Sequence, residues 1–241
     1  MALPKIDTPI YDLILPLSKK EIRFRPFLVK EQKNLLMAME ADDKESIEKN
    51  VKQVLINCTL TDGIDIDRLP VIDVEFYFLN LRARSVGEVI ENSYRCDNEI
   101  EEKKCGNIMK TSLNILDVKV ENVNEDKTEI QLTDKIFLKL RYPEYSLLKK
   151  MAKLEDASSI AFEMIAQCVE YIFDGEQYYY SNEVSIEEMV EFIENLNQQQ
   201  FEKIESFFSN MPKLQRKIEI KCSRCGFDHR IDVEGLESFF G

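Results

Sequence analysis

The spacing of apolar positions changes character several times along the chain. Residues 1–27 mix Ile22, Phe24 and Phe27 with charges, and Pro4, Pro9, Pro16 and Pro26 oppose a helix, so this stretch predicts extended chain. Leu35, Leu36 and Met39 then share one face of a helix expected from Val29 to Ala41. Ile47, Val51, Val54, Leu55 and Cys58 stripe a second, from Ser46 to Cys58. A third helix, Leu69 to Arg84, carries Ile72, Val74, Phe76, Tyr77, Phe78 and Leu81 and is apolar nearly all round. Such a helix is buried on several sides or covered by another chain.

The period then shortens. Val89–Arg95 and Ile108–Leu116 predict two strands joined by a loop from Cys96 to Cys105, with further strands at Ile130–Leu132 and Ile136–Leu140. Asn122–Lys127 predicts an exposed turn. Helical spacing returns at Ile160, Met164, Ile165, Cys168, Val169 and Ile172. Ser185 and Glu188 form a capping box ahead of a helix with Ile186, Met189, Val190 and Ile193. The helix through Phe201, Ile204, Phe207 and Phe208 stops at Asn210-Met211-Pro212. Strands Lys217–Lys221 and His229–Val233 close the pattern, followed by Leu236, Phe239 and Phe240. The fold class expected is α+β, helical segments packed with small antiparallel hairpins. Its segments are 1–88 (extended chain plus helices), 89–142 (β), 143–213 (helical) and 214–241 (a C-terminal hairpin), in one or two compact units.

Composition narrows the function classes. The 241 residues are 44% hydrophobic and 32% charged, which fits a folded chain with a substantial core. The net charge of −13 argues against coating nucleic acid, which needs a dense basic face. No apolar run reaches the length of a membrane helix, and the start Met-Ala-Leu-Pro-Lys-Ile-Asp lacks the features of a signal peptide. These readings place the chain in the cytosol, where cysteines stay reduced and pairs of them point to metal or redox chemistry.

Cys222-Ser223-Arg224-Cys225-Gly226 lies between two strands. A turn between cysteines two apart aims both sulfurs at one point, and Gly226 permits the positive φ that such a turn requires. This is half of a tetrahedral zinc site. Cys105-Gly106 repeats the same exit into a strand, and Cys96 ends the preceding strand. Cys96, Cys105, Cys222 and Cys225 are therefore the expected ligands of one structural zinc, held by two hairpins paired like the knuckles of a zinc ribbon. The eight residues between Cys96 and Cys105 exceed the usual two to four, which makes this half irregular. His229, the sole histidine, is the alternative to Cys96, although its place on the outgoing strand predicts exposure. Two other readings stand beside zinc: ordinary surface cysteines, and a redox pair at Cys222 and Cys225. Flanking strands disfavour the redox pair, because such pairs sit at helix N-termini. Cys58 and Cys168 lie on apolar helix stripes and read as core.

Enzymatic chemistry finds little support. A Ser/His or Cys/His mechanism would have to use His229, and no phosphate-binding glycine loop exists among seven glycines. Four thiolates close the shell of a zinc ion, whereas a catalytic zinc keeps an open position. The Thr61–Asp67 segment has calcium-like acidic spacing, but its glycine comes too early and the closing Glu is missing, so it predicts a loop with a helix cap.

Several segments, in order, resemble the baseplate hub protein family of T-even-type contractile-tailed bacteriophages. They are Met1-Ala2-Leu3-Pro4-Lys5, Arg25-Pro26-Phe27-Leu28-Val29-Lys30-Glu31 and Leu81-Arg82-Ala83-Arg84-Ser85-Val86-Gly87-Glu88, then Phe201 to Phe240 with Asn210-Met211-Pro212, the Cys222–Cys225 knuckle and Gly235-Leu236-Glu237-Ser238-Phe239-Phe240. The resemblance implies a hub subunit or hub-assembly chaperone, with no reaction. It implies other tail baseplate hub proteins as partners, and a place in the host cytoplasm during assembly or in the tail baseplate of the virion. No small-molecule substrate and no membrane follow from it. Candidate partner surfaces are Phe76 and Tyr77 on the third helix, Tyr179 within Tyr178–Tyr180, and Phe239 with Phe240. The competing class is a zinc-ribbon protein that binds nucleic acid through Arg95, Lys103, Lys104, Lys221, Arg224 and Arg230 around the knuckles.

Overall fold

The structure is a computed structural model that describes residues 6–40, 44–101, 103–123, 128–147 and 157–234. It is mixed α+β, with small antiparallel sheets, and divides into two compact units. The first comprises 1–64, 75–121 and 213–241, and the second 65–74 and 122–212.

The first unit opens with a hairpin of β1 (Tyr11–Ile14) and β2 (Glu21–Phe24), as the proline-punctuated extended stretch requires. Helices α1 (Val29–Glu40) and α2 (Lys44–Cys58) follow within a residue or two of expectation. Helix α3 (Val71–Val86) starts two residues later than its apolar run suggests, since Pro70 precedes it and accepts the amides of Asp73 and Val74 on its carbonyl. All but the first turn of α3 belongs to this unit. Ile22, Phe24, Leu55, Cys58 and Tyr77 are buried here, and the Phe24 and Tyr77 rings meet edge to face at 5.4 Å. The Glu31 carboxylate is buried among them: half-buried Arg25 meets it at 2.8 Å, and Glu31 also accepts the Leu28 amide at the start of α1.

Three further antiparallel sheets belong to the described part of the unit. Strands β3 (Val89–Arg95) and β6 (Ile108–Asn114) pair antiparallel from Val89↔Asn114 to Arg95↔Ile108. Between them lies a second, minute hairpin, β4 (Glu99–Ile100) with β5 (Lys103–Lys104). The other sheet places β12 (Lys213–Lys221) between β13 (Asp228–Glu234) and β7 (Lys119–Glu121). Strand β12 is four residues longer at its start than the sequence pattern indicates, because Lys213–Gln215 pair with β7, a partner nearly a hundred residues away.

The second unit holds a four-stranded antiparallel sheet in the order β11-β10-β9-β8, built from β8 (Glu129–Gln131), β9 (Phe137–Leu140), β10 (Val169–Phe173) and β11 (Tyr178–Tyr180). Helices α4 (Ala157–Cys168), α5 (Ile186–Glu194) and α6 (Gln198–Ser209) supply Ile165, Met189, Ile193, Ile204 and Phe207 to its core, against Ile130, Leu138 and Ile172 of the sheet. The expected continuation of the helical stripe through Val169 and Ile172 is incorrect. The helix ends at Cys168 and the chain enters β10 directly. A bulge between Val169 and Tyr171 sets two residues of β10 against one of β9, so residues three apart are both buried and imitate a helical period. The capping box at Ser185 and Glu188 is present, and Asn197 with Gln200 forms another.

Candidate metal centre

The site is built entirely within the first unit, from the facing tips of two hairpins. In one, strand β12 ends at Lys221 and the chain reverses over Cys222–Cys225. The Cys222 amide donates to the Phe227 carbonyl at 2.8 Å, and the Gly226 amide donates back to the Cys222 carbonyl at 2.9 Å. Gly226 has φ +74°, which only a residue without Cβ adopts freely. The amides of Cys225 and Arg224 point at the Cys222 sulfur and hold its thiol down to about 6.

The other hairpin achieves the same reversal by a different route. Cys96 donates its amide to Asn107 at 2.8 Å and accepts from Gly106 at 2.9 Å, so Cys96 closes the β3–β6 ladder. The eight-residue insertion folds back on itself as β4–β5, and the Cys105 amide donates to the Asn98 carbonyl at 2.8 Å across its base. The long spacing is therefore a small hairpin of its own, and it returns Cys105 beside Cys96. Gly106, at φ +65°, repeats the conformation of Gly226.

The four sulfurs lie within 4.8 Å of one another. Cys96 Sγ is 3.6 Å from Cys225 Sγ, and Cys105 Sγ is 3.9 Å from Cys222 Sγ. A disulfide needs about 2.05 Å, so all four are free thiols. A tetrahedron with zinc–sulfur distances of about 2.3 Å has edges of about 3.8 Å. The two measured edges bracket that value, and each joins one hairpin to the other. Cys96, Cys105 and Cys222 are buried and Cys225 is half-buried. Burial, together with the neighbouring thiols, pushes the Cys96 thiol up to about 12 in the absence of a cation. A bound divalent ion reverses that preference, since thiolate is the ligating form.

The surroundings complete the set. Asn98 aims its side-chain amide at Cys225 Sγ from 3.7 Å, and Asn107 aims its own at Cys222 Sγ from 3.5 Å. Each asparagine thus crosses from the first hairpin to a sulfur of the second. Arg224 crosses the other way, donating to the Cys105 carbonyl at 3.0 Å. The two asparagines were not singled out in the sequence pattern, although the repeated Cys-x-Asn of Cys96–Asn98 and Cys105–Asn107 is a readable signal; Arg224 was, as one of the basic residues of the nucleic-acid reading. Donors around thiolates disperse their charge and orient them.

His229 departs from expectation. Its side chain is only 10% exposed, with Nε2 3.1 Å from Cys96 Sγ and Nδ1 3.5 Å from Asp97. Pairing of Ile220 with His229 across β12–β13 carries the ring onto the cysteine cluster. Cys96 keeps its place among the four sulfurs, and His229 lies against it from outside.

The other expected site residues are dispersed. Tyr77 is fully buried, its hydroxyl 3.0 Å from Thr59, so it is a core residue of the chain rather than a partner surface. Phe76 is half-buried and Tyr179 is exposed on β11. Phe239 and Phe240 lie outside the described residues, as does most of the Asn122–Lys127 turn. Burial pushes the thiols of Cys58 and Cys168 up to about 12, as inert core positions require. The basic residues around the knuckles are interleaved with acids: Arg230 pairs with Glu219 at 3.5 Å, and Lys104 stands across the ladder from Glu99. Asp65 caps a short 3-10 turn at Ile66–Arg68, the structural role expected of the Thr61–Asp67 loop. Among the described residues, no helix is long and apolar enough to cross a membrane.

Comparison with known proteins gives a match over nearly the whole chain. Residues 8–241 match a family described as "T4 bacteriophage base plate protein". The chain is 29% identical over 242 residues to the "Baseplate hub assembly protein gp26" of Enterobacteria phage T4, covering 95% of this chain and 97% of that protein. No solved structure matches.

Proposed function

The chain belongs to the T4 bacteriophage base plate protein family, and on that premise we propose that it acts without catalysis, as a hub component or hub-assembly chaperone that binds other tail proteins. The observation that carries this reading is the match to a hub assembly protein over 95% of this chain and 97% of that protein. The partners are other baseplate hub proteins. The place of action is the host cytoplasm during assembly; the content of purified particles tells whether the chain stays in the finished baseplate.

Within this reading Cys96, Cys105, Cys222 and Cys225 hold one structural zinc, and the two hairpin tips form a zinc-ribbon-like knuckle pair. The sulfur–sulfur edges near 3.8 Å and the closed four-thiolate shell support a clamp rather than a reactive centre. The clamp ties segments 117 positions apart, so it fixes the register between the β3–β6 ladder and the β12–β13 ladder. A bound zinc would supply charge neutralisation of four thiolates and no substrate position.

The test is capture from cells infected with the encoding phage, using the tagged chain and quantitative proteomics, compared with the protein content of purified particles. Enrichment of baseplate hub proteins is expected. Enrichment of nucleic acid, with affinity falling steeply as salt rises, would overturn the assembly reading in favour of a nucleic-acid ribbon.

A further inference from the structure

The two hairpin tips do not hold their first cysteines alike. In the regular one, the Cys222 sulfur receives the amides of Arg224 and Cys225, two and three residues on, and Asn107 adds a side-chain donor at 3.5 Å. In the interrupted one, the Cys96 sulfur receives the amide of Asn98, two residues on. The next residue, Glu99, already stands in β4 opposite Lys104. The insertion thus removes the tight turn that would aim a second amide at Cys96. The Asn98 side chain does not replace it, because it serves Cys225 at 3.7 Å.

His229 brings a nitrogen to that sulfur from the other hairpin. Its Nε2 lies 3.1 Å from Cys96 Sγ, closer than either asparagine comes to its own sulfur. The ring is nearly buried and held in place. The β12–β13 register sets His229 opposite Ile220, which packs on the cysteine cluster. Phe227 meets the ring edge to face at 4.8 Å. Asp97, largely exposed, lies 3.5 Å from Nδ1, too long for a strong bond. His229 is not itself one of the four mutually close ligand atoms, all of them sulfurs, so it stands outside the coordination set.

The chemistry of the pair decides which atom donates. A ligating sulfur is a thiolate, which has no proton and only accepts. Nε2 must then carry the hydrogen. It does so in the neutral Nε2–H tautomer and in the cation alike, so the bond does not depend on the charge of the ring. A donor at a ligating sulfur draws off charge and orients the ligand, and the loss of such a partner commonly weakens metal binding.

We infer that His229 is a positioning residue of the metal centre: it donates from Nε2 to the Cys96 thiolate, supplies the hydrogen bond that the interrupted knuckle lacks, and keeps Cys96 on the zinc. This rests on the zinc reading above and gives the sole histidine a role within it. Asn98 and Asn107 reach from the first hairpin to sulfurs of the second, and His229 returns the contact, so each hairpin steadies ligands of the other.

The experiment compares the full zinc-loaded chain with His229→Phe, His229→Gln and His229→Met. Phe keeps a ring and has no N–H. Gln keeps an N–H at a reach similar to Nε2 and has no ring. Met has the length of Gln without its donor, so the Gln–Met pair makes the same comparison if Phe disturbs the fold. Zinc transfer to a chromogenic chelator should be about tenfold or more faster in the Phe and Met variants, and Gln should restore most of the parent rate. Iodoacetamide labelling mapped by mass spectrometry should rise at Cys96 relative to Cys222 in the Phe and Met variants only. In cobalt-loaded protein, the sulfur-to-cobalt charge-transfer band of the same two should move to longer wavelength, since a thiolate that loses a donor gives up its electrons more easily. Parent-like behaviour of Phe with impairment of Gln would show that the ring merely packs, and would overturn the proposal. Equal acceleration of labelling at Cys96 and Cys222 with an unmoved band would mean general loosening, and would overturn it too. A parent with less than about half an equivalent of zinc would overturn the zinc reading and this role together. A fully loaded parent matched by the Phe and Met variants would overturn the role of His229 alone.

Discussion

Removing one half of the cysteine clamp gives the most direct quantitative test. In Cys222→Ser combined with Cys225→Ser, the Cys96–Cys225 and Cys105–Cys222 edges both disappear, and two thiolates remain. Structural zinc sites in small fingers bind with about 10–16 kcal/mol at a 1 M standard state. At about 1 μM free zinc roughly 8 kcal/mol of that is lost to dilution, leaving about 2–8 kcal/mol of stabilisation. The sulfurs here already sit near tetrahedral edge lengths, with asparagine donors in place, so little reorganisation opposes binding. The upper part of the range, about 5–8 kcal/mol, is therefore expected. For a chain of this size that corresponds to a melting temperature lower by roughly 10–30 °C. The control is Cys58→Ser, which places a hydroxyl in a fully buried position 3.7 Å from the Arg25 guanidinium and should cost only about 1–2 kcal/mol. Protein purified without chelator should carry one equivalent of zinc by elemental analysis, and the double variant none. Denaturant melts give the stabilities. Equal losses in the double variant and Cys58→Ser, or a parent with less than about half an equivalent of zinc whose melting ignores chelation, would refute the reasoning.

Three further outcomes follow from the geometry. Gly226→Ala meets no atom within 4 Å at its new Cβ, so its cost is the left-handed backbone alone, about 1–2 kcal/mol, visible as faster zinc transfer to a chromogenic chelator. Glu31→Gln removes the charge of the buried carboxylate that pairs with half-buried Arg25 and should cost about 1.5–3 kcal/mol in urea melts at neutral pH. Burial raises the Glu31 pKa, but the hydrogen bonds from Arg25 and Leu28 outweigh it and leave the folded value below the unfolded one. The stabilisation is thus complete above the unfolded carboxyl pKa and disappears as pH falls through the depressed value, so parent and variant should converge in acid. Ser185→Ala removes one side of the α5 capping box and should cost about 1 kcal/mol, read by the same melts.

Local physics was legible in the sequence wherever it acts within a few residues. The capping box at Ser185 forms because a hydroxyl and a carboxylate three positions apart reach each other's amides. The Cys222–Gly226 knuckle forms because a tight turn needs a left-handed glycine and brings its two sulfurs together. Core roles for Cys58 and Cys168 followed from apolar stripes alone, as did the α+β class. The bulge in β10 was hidden, because a two-for-one strand register produces the same three-residue spacing as a helix. The start of β12 was hidden as well, because its pairing with β7 lies far away in the chain. Tertiary structure alone decided that the irregular Cys96–Cys105 spacing folds into its own hairpin. It also decided that Asn98 and Asn107 reach across to Cys225 and Cys222, and that His229 lies on the cluster rather than in solvent. The physical reason is range. Turn and cap preferences are set by neighbouring dihedral angles, and the glycine exits and strand flanks of the cysteines already marked the four sulfurs as partners; the contacts that Asn98, Asn107 and His229 make with them depend on how the two ladders pack, which local spacing does not encode.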